Sequence, residues 1–428
     1  PSPWNASKDR TYRLLQNPDI SFATDRASGV RLLFLNVGHT VDHLCMLLFP
    51  TVILALEHDW QLSYEELIWV STVGFVTFAG GAVPAGWLGD RWHREGMMLV
   101  FFLGIGSACF FTGFAQNTWQ IAIGLGAIGL FASIYHPVGI ALVVSGQKRM
   151  GRILGVNGVW GNMGVAAAAL TAGILTDSIQ WRAAFMIPGA LCIAIGIAYG
   201  FYLRRVGVMT IAKKVTRAGS QAEYRAAQIR VFIVVLIATA CGGLVFGSTT
   251  LIMPKALEDG LGTLAGNTAA VGGYAALVFA VASLAQLVSG RLVDSREAKP
   301  LLFIIAAGQA MFLGLLALGI TGLPMLAVAI GTMLFVFGQI PLNDTLIARY
   351  TDDQWRARIF SIKYLITLSV AALAAPVVAI LRGMSGDFIS LFMLLAILAL
   401  VITLASLLLP MIATAGQPRA AGEVKAQI

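Results

Sequence analysis

The chain has 428 residues, of which 58% are hydrophobic and 12% charged, against roughly 45–50% and about 25% in ordinary soluble domains. Such a chain cannot keep its surface in water, which excludes a soluble enzyme, a nucleic-acid-binding domain and a disordered tail protein. Unbroken apolar runs such as 187–203 and 391–409 also exclude a membrane barrel, whose strands alternate apolar and polar residues. The net charge of +8 reads as the Lys and Arg that hold loops on one side of a membrane, and no nucleic-acid partner is expected.

Taken in chain order, a polar tail over 1–30 lacks the apolar core of a signal peptide. Apolar runs then predict helices over 31–56, 64–89, 96–115, 119–145, 152–176 and 182–203. A linker over 204–229 carries Arg204, Arg205, Lys213, Lys214, Arg217 and Arg225. Further helices follow over 230–254, 267–293, 300–320, 324–349, 358–382 and 388–413, before a tail over 414–428. The expected fold is all-α and polytopic, with twelve transmembrane helices in two six-helix bundles, 31–203 and 230–413. Both tails then lie on one side. Of the 29 Lys and Arg, only Arg182, Lys255 and Arg382 fall on the opposite face. That bias places both tails and the linker in the cytoplasm, and short loops suggest a bacterial inner membrane. Cys45, Cys109, Cys192 and Cys241 lie in apolar runs without paired spacing, so neither a disulfide framework nor a zinc site is expected.

A shift of 204 residues aligns the halves: Gly38 meets Gly242, Pro50 Pro254, Gly86 Gly290, Asp90 Asp294, Gly104 Gly308, Pro137 Pro341 and Arg152 Arg356. The scarcer Pro, Asp and Arg matches mark a parallel duplication. The prolines sit where kinks would let helices bend. Gly155, Gly158, Gly161 and Gly164 are read as sites of close helix packing. Trp60, Trp69, Trp119 and Trp181 are read as an interfacial belt.

The loop Gly86-Trp-Leu-Gly89-Asp90-Arg91-Trp-His93-Arg94, weakened in the repeat to Gly290-Arg-Leu-Val-Asp294-Ser-Arg296, resembles the signature of the major facilitator superfamily. The resemblance implies a conformational latch between the halves at Gly86, Asp90, Arg91 and Arg94, repeated at Asp294. Tyr135-His136-Pro137-Val-Gly139-Ile-Ala141-Leu and Gly38-His39-Thr-Val-Asp42 resemble stretches of fosmidomycin-resistance-type bacterial exporters, which implies export.

Ionisable groups within a bilayer are costly and mark function. Here His39, Asp42, His43, His136 and Asp344 fall within predicted spans. His39 shares a helix face with Asp42 and His43, and the first and fourth helices of the resembled family line a central cavity. Low dielectric disfavours the charged form of either group type, so Asp42, modulated by His39 and His136, is the expected proton carrier. His43, Tyr135, Gln339, Asn343, Asp344 and Tyr364 are the expected cavity residues. Asp344 and Lys363 are read either as a structural pair or as snorkelling charges. Histidine packing and transition-metal binding are the alternatives for the cluster, and no metal ligand set is assigned.

The expectation is a monomeric secondary transporter that moves a small organic solute by alternating access, in exchange for protons, with lipid as its surroundings and no cofactor. Proton-coupled uptake of a carboxylate nutrient and export of a metal or its chelate compete with that reading. A non-transporting membrane enzyme or sensor is the alternative from another class, and no nucleophile with a base supports it.

Overall fold

A computed structural model of the chain describes residues 18–145, 150–206, 222–351 and 353–410, and its regular elements there are all helical. Twelve helices are long and apolar enough to cross a bilayer. In the first half these are α1 (Gly29–Trp60), α2 (Tyr64–Arg91), α3 (Arg94–Thr112), α4 (Thr118–Val143), α5 (Arg152–Ser178) and α6 (Ala183–Val206). In the second they are α7 (Gln228–Ala265), α8 (Thr268–Ser295), α9 (Ala298–Leu316), α10 (Gly322–Ile347), α11 (Ile362–Ser385) and α12 (Ile389–Ser406). Large apolar side chains such as Ile123, Leu191, Ile304 and Leu404 point outward, more than half exposed. In water that surface would be prohibitive; in lipid it is the expected one.

The helix ends follow local chemistry. Ser63 accepts a bond from the Glu66 amide at 3.2 Å while Glu66 accepts from the Ser63 amide at 2.9 Å, a reciprocal cap that starts α2. Asn267, which stands 204 positions later, caps α8 through the Ala270 amide at 2.8 Å. The duplication therefore extends to the caps. The helix of α1 breaks at Leu48, two residues before Pro50, because proline supplies no N–H to the ladder. At Pro137 the helix widens into a π turn over Tyr135–Gly139, whereas Pro254 and Pro341 lie inside continuous helix.

Several boundaries differ from the sequence expectation. Arg204 and Arg205 belong to the last turn of α6, and the helix carrying α7 already begins at Ala222. Lys213, Lys214 and Arg217 of the expected linker lie outside the described residues, as do 1–17 of the N-terminal tail, 411–413 of the expected last helix and the whole tail over 414–428. Residues 18–28 of the expected N-terminal tail are helical. Trp181 does not join an interfacial belt: it is 2% exposed and packs edge-on against Trp60 at 5.7 Å. Trp119, by contrast, is 79% exposed.

The halves meet chiefly through two helix pairs, α5 with α8 and α2 with α11, and each is the other's equivalent under the 204 shift. The α5–α8 crossing is close because both partners present glycine. A Cβ on Gly173 would stand 2.6 Å from the Thr268 carbonyl oxygen, so no larger residue fits without moving a backbone. The end of the bundle that carries the α1–α2 turn is called distal, and the end where α1 begins and α12 finishes is called proximal.

Polar links between the halves concentrate at the distal end. Arg382 on α11 pairs with Glu65 on α2 of the other half at 2.9 Å and with Asp259 on α7 of its own half at 2.7 Å. Lys255 on α7 pairs with Glu57 on α1 at 3.2 Å. Asp177 on α5 accepts from the Ala269 amide at the start of α8 at 2.7 Å, where the helix dipole favours a carboxylate.

Candidate functional site

A cavity of about 160 Å³ lies between the halves. Its wall includes Leu154, Asp344 and Lys363, which lie near the proximal ends of α5, α10 and α11. The first half contributes His39 and His43 from α1, His136 from α4 and Asn157 and Asn162 from α5. The second contributes Gln309, Gln339, Asn343, Asp344, Lys363 and Tyr364 from α9, α10 and α11.

On the first side three imidazoles converge. His39 lies 5.0 Å from His43 and 5.5 Å from His136 between ring centroids, and His43 lies 5.8 Å from His136. His136 stands within the π turn of α4, a departure from the α-helix often found at functional sites. Gly161 on α5 makes room for His39, whose ring atoms would lie 2.6 Å from a Cβ there. His39 Nδ1 lies 2.8 Å from the Asn157 carbonyl oxygen. A carbonyl can only accept, so Nδ1 carries the proton and Nε2 presents a lone pair. One ring nitrogen of each of the three histidines lies within 4.8 Å of the other two, and together they could hold a metal ion.

Asp42 and Tyr135 stand behind this wall and not on it. Asp42 is wholly buried, with neither carboxylate oxygen in a hydrogen bond, and His136 Nε2 lies 3.5 Å from its Oδ2. Tyr135 is equally buried, stacks under His39 at 4.7 Å and donates to the Leu35 carbonyl at 2.9 Å. It was expected in the cavity, and its place is instead in the support that holds His39. Asn157 Nδ2 completes that support by donating to Asn36 Oδ1 and to the Tyr135 hydroxyl, both at 2.9 Å.

The second side is ionic and amide-rich. Lys363 Nζ donates to Asp344 Oδ1 at 2.7 Å, and both residues are under 10% exposed. Of the two readings left by the sequence, pairing is the one observed. Lys363 also lies over the Tyr364 ring at 4.2 Å, and Tyr364 meets His136 across the cavity at 5.3 Å. Gln309 Nε2 donates to Gln339 Oε1 at 2.5 Å, and Gln339 Nε2 to the Ala238 carbonyl at 3.3 Å. Asn343 Oδ1 is buried without a partner.

The sequence reading missed Asn157, Asn162 and Gln309 and did not place Lys363 in the cavity. A signal existed for Asn157: it lies four residues before Gly161 in a glycine-lined helix, a polar side chain on the face that glycines bring close to a neighbour.

The expected latch residues stay within their own halves. Arg94 pairs with Asp90 at 2.7 Å one turn away, and Arg91 lies over Trp87 at 4.4 Å. Gly86 and Gly89 face Pro137 and Val138 of the α4 π turn. Asp294 lies 4.0 Å from Arg349, which also donates to the Val293 carbonyl. Among the described residues no ion pair of this loop reaches the opposite half.

The Major Facilitator Superfamily profile matches residues 37–362. The chain is 27% identical over 327 residues to the multidrug resistance protein MdtG of Yersinia enterocolitica, covering 74% of this chain and 77% of that one. It is 30% identical over 157 residues to the niacin transporter NiaP of Acinetobacter baylyi, covering 36% of this chain and 35% of that one. The fold is similar to an inward-facing, unoccupied bacterial homologue of the human lysosomal transporter Spinster, with TM-score 0.67, 15% identity and coverage of 90% and 98%. It is also similar to FucP in the outward conformation, with TM-score 0.63, 13% identity and coverage of 90% and 100%. Twelve helices, duplicated halves that meet through α2–α11 and α5–α8, and a profile match over most of the chain lead to one conclusion: this protein belongs to the Major Facilitator Superfamily of membrane transporters.

Proposed function

We propose that the chain exports a small organic solute by alternating access between its halves, 31–203 and 230–413, driven by protons that enter through Asp344. The observation that carries this reading is the buried Asp344–Lys363 pair on the cavity wall, at 2.7 Å. A coupling group must meet water from each side in turn, so it belongs on the wall; Asp344 lines the cavity, whereas the sequence expectation, Asp42, stands behind it. Protonation of Asp344 removes one charge of the pair and frees Lys363, and deprotonation restores it. Removing one partner of a buried pair costs several kcal/mol, enough to bias a two-state carrier.

The relatives named for multidrug resistance and the fosmidomycin-resistance-type stretch at 135–142 support export. The excess of Lys and Arg supports placing the proximal end and both tails in the cytoplasm, and the bacterial relatives support an inner-membrane carrier, which we take as a monomer. A second reading, proton-coupled uptake of a carboxylate, is favoured by Lys363 on the cavity wall and by the niacin transporter among the relatives.

The test is growth of an efflux-deficient bacterium that expresses the wild type or Asp344→Asn, on a panel of antibiotics, organic acids and metal salts. Tolerance conferred by the wild type and lost in the variant supports proton-driven export. New growth on a carboxylate selects uptake, and equal tolerance of both proteins overturns the role of Asp344.

A further inference from the structure

Three of the five histidines in the chain line one cavity face, while His58 and His93 are exposed elsewhere. The convergence of three imidazoles has a chemical signature beyond packing. His39 is held through Nδ1 by the Asn157 carbonyl, and its Nε2 is buried without a hydrogen-bond partner. His136 turns Nε2 toward the Asp42 carboxylate at 3.5 Å, and its Nδ1 is likewise buried without a partner. In both rings one nitrogen faces an oxygen and the other is buried without a partner. Metal-binding histidines have this arrangement, with a carbonyl or carboxylate behind the ring to set its tautomer and orientation. An orphaned buried acceptor costs free energy, which a cation in the centre of the three rings would recover.

Ring nitrogens within 4.8 Å of one another compare with the ~3.3 Å edge of a tetrahedron with bonds of ~2.0–2.1 Å. Rotation of His43, for which no hydrogen bond fixes the ring, and small tilts of the other two would bring all three to bonding distance of one ion. Three neutral imidazoles suit nickel, copper, zinc or cobalt and not magnesium or calcium, which select oxygen. A structural metal site is closed by four protein ligands, while a three-ligand site keeps positions open. Here those positions face the cavity, so the metal can exchange and can carry ligands of its own.

We propose that His39, His43 and His136 coordinate a divalent transition-metal ion as cargo, bare or within an organic chelate, with Asp42 and the Asn157 carbonyl as their positioning partners. The inference rests on the transporter reading and names its substrate class; it does not use the Asp344–Lys363 pair, which is tested separately.

The experiment is titration of the purified full chain in nanodiscs with Co2+ alone, followed by the visible absorption of the bound ion. One equivalent is expected, with affinity lowered at least ~10-fold by each of His39→Ala, His43→Ala and His136→Ala and unchanged by His58→Ala or His93→Ala. Binding that survives the triple variant overturns the site. Should a variant not purify as a single species, the X-ray absorption spectrum of the wild-type Co2+ complex decides: about three imidazole ligands support the proposal, and a shell of oxygen alone overturns it. In proteoliposomes, movement of Co2+ alone assigns the bare ion, and movement only with citrate assigns the chelate. Bound Co2+ that moves in neither case overturns its role as cargo. Proton flux lost in Asp344→Asn with Co2+ binding intact separates this proposal from the coupling reading.

Discussion

Arg382 Nε donates to Glu65 Oε1 at 2.9 Å, which ties two residues 317 positions apart across the distal ends of the two halves. The same guanidinium reaches Asp259 at 2.7 Å and lies over the Phe388 ring at 4.4 Å, so one side chain holds α2, α7 and α11 together. Arg382→Ala should let the distal end open. Spin labels at Asp59 and Asp387 would report it as a larger long-distance population, by up to ~5-fold for pairs worth about 1 kcal/mol. An unchanged distance distribution would exclude Arg382 as a clasp.

The Asp344–Lys363 pair makes a prediction about stability that is separate from flux. Lys363→Gln leaves Asp344 buried without its partner, at a cost of ~3–5 kcal/mol, and thermal unfolding in detergent should show a lowered midpoint. Adding Asp344→Asn removes the orphaned charge and should recover most of the midpoint while proton-driven flux stays lost. If the double variant melts as early as the single one, the loss comes from packing and not from charge.

Asp42→Asn separates the two uses of the buried carboxylate. As a positioning partner of His136, its loss should weaken Co2+ binding by about 10-fold, the lower end of the effect of outer-shell changes at metal sites. Proton-driven flux should persist. Flux abolished with Co2+ binding intact would return the proton to Asp42.

Gly173→Val tests the α5–α8 crossing, where a Cβ would stand 2.6 Å from the Thr268 carbonyl and 3.1 Å from Gly272 Cα. Overpacking of this kind costs ~1–3 kcal/mol, read as a lower melting midpoint. The same substitution at Gly80, which has nothing within 4 Å of a Cβ, should leave the midpoint nearly unchanged. Equal loss at both would assign the effect to glycine in helices generally.

Much of this architecture was legible in one dimension. Twelve spans follow from run length, because a bilayer core demands ~20 apolar residues per helix. Duplication was visible in Pro137 and Pro341 and in Asp90 and Asp294, and family membership in the loop at 86–94. Spacing alone also brought His39 and His43 onto one face, since four residues make about one helical turn.

Other features depended on how the helices pack. The sequence places Asp42 and His39 equally on α1, yet only the rotation of that helix against α4 and α5 puts His39 on the cavity wall and Asp42 behind it. Tyr135 and His136 are adjacent in sequence, and the packing of α4 against α1 puts one into the support and the other into the cavity. Lys363 reads as a charge near a helix end until α11 lies beside α10 and brings Asp344 to it. Apolar periodicity determines that a segment spans a membrane and roughly which face is polar, because both are properties of a single helix. Which polar groups meet is decided by contacts between residues far apart in sequence, such as His39 with Asn157 or Glu65 with Arg382, and those exist only once the helices are assembled.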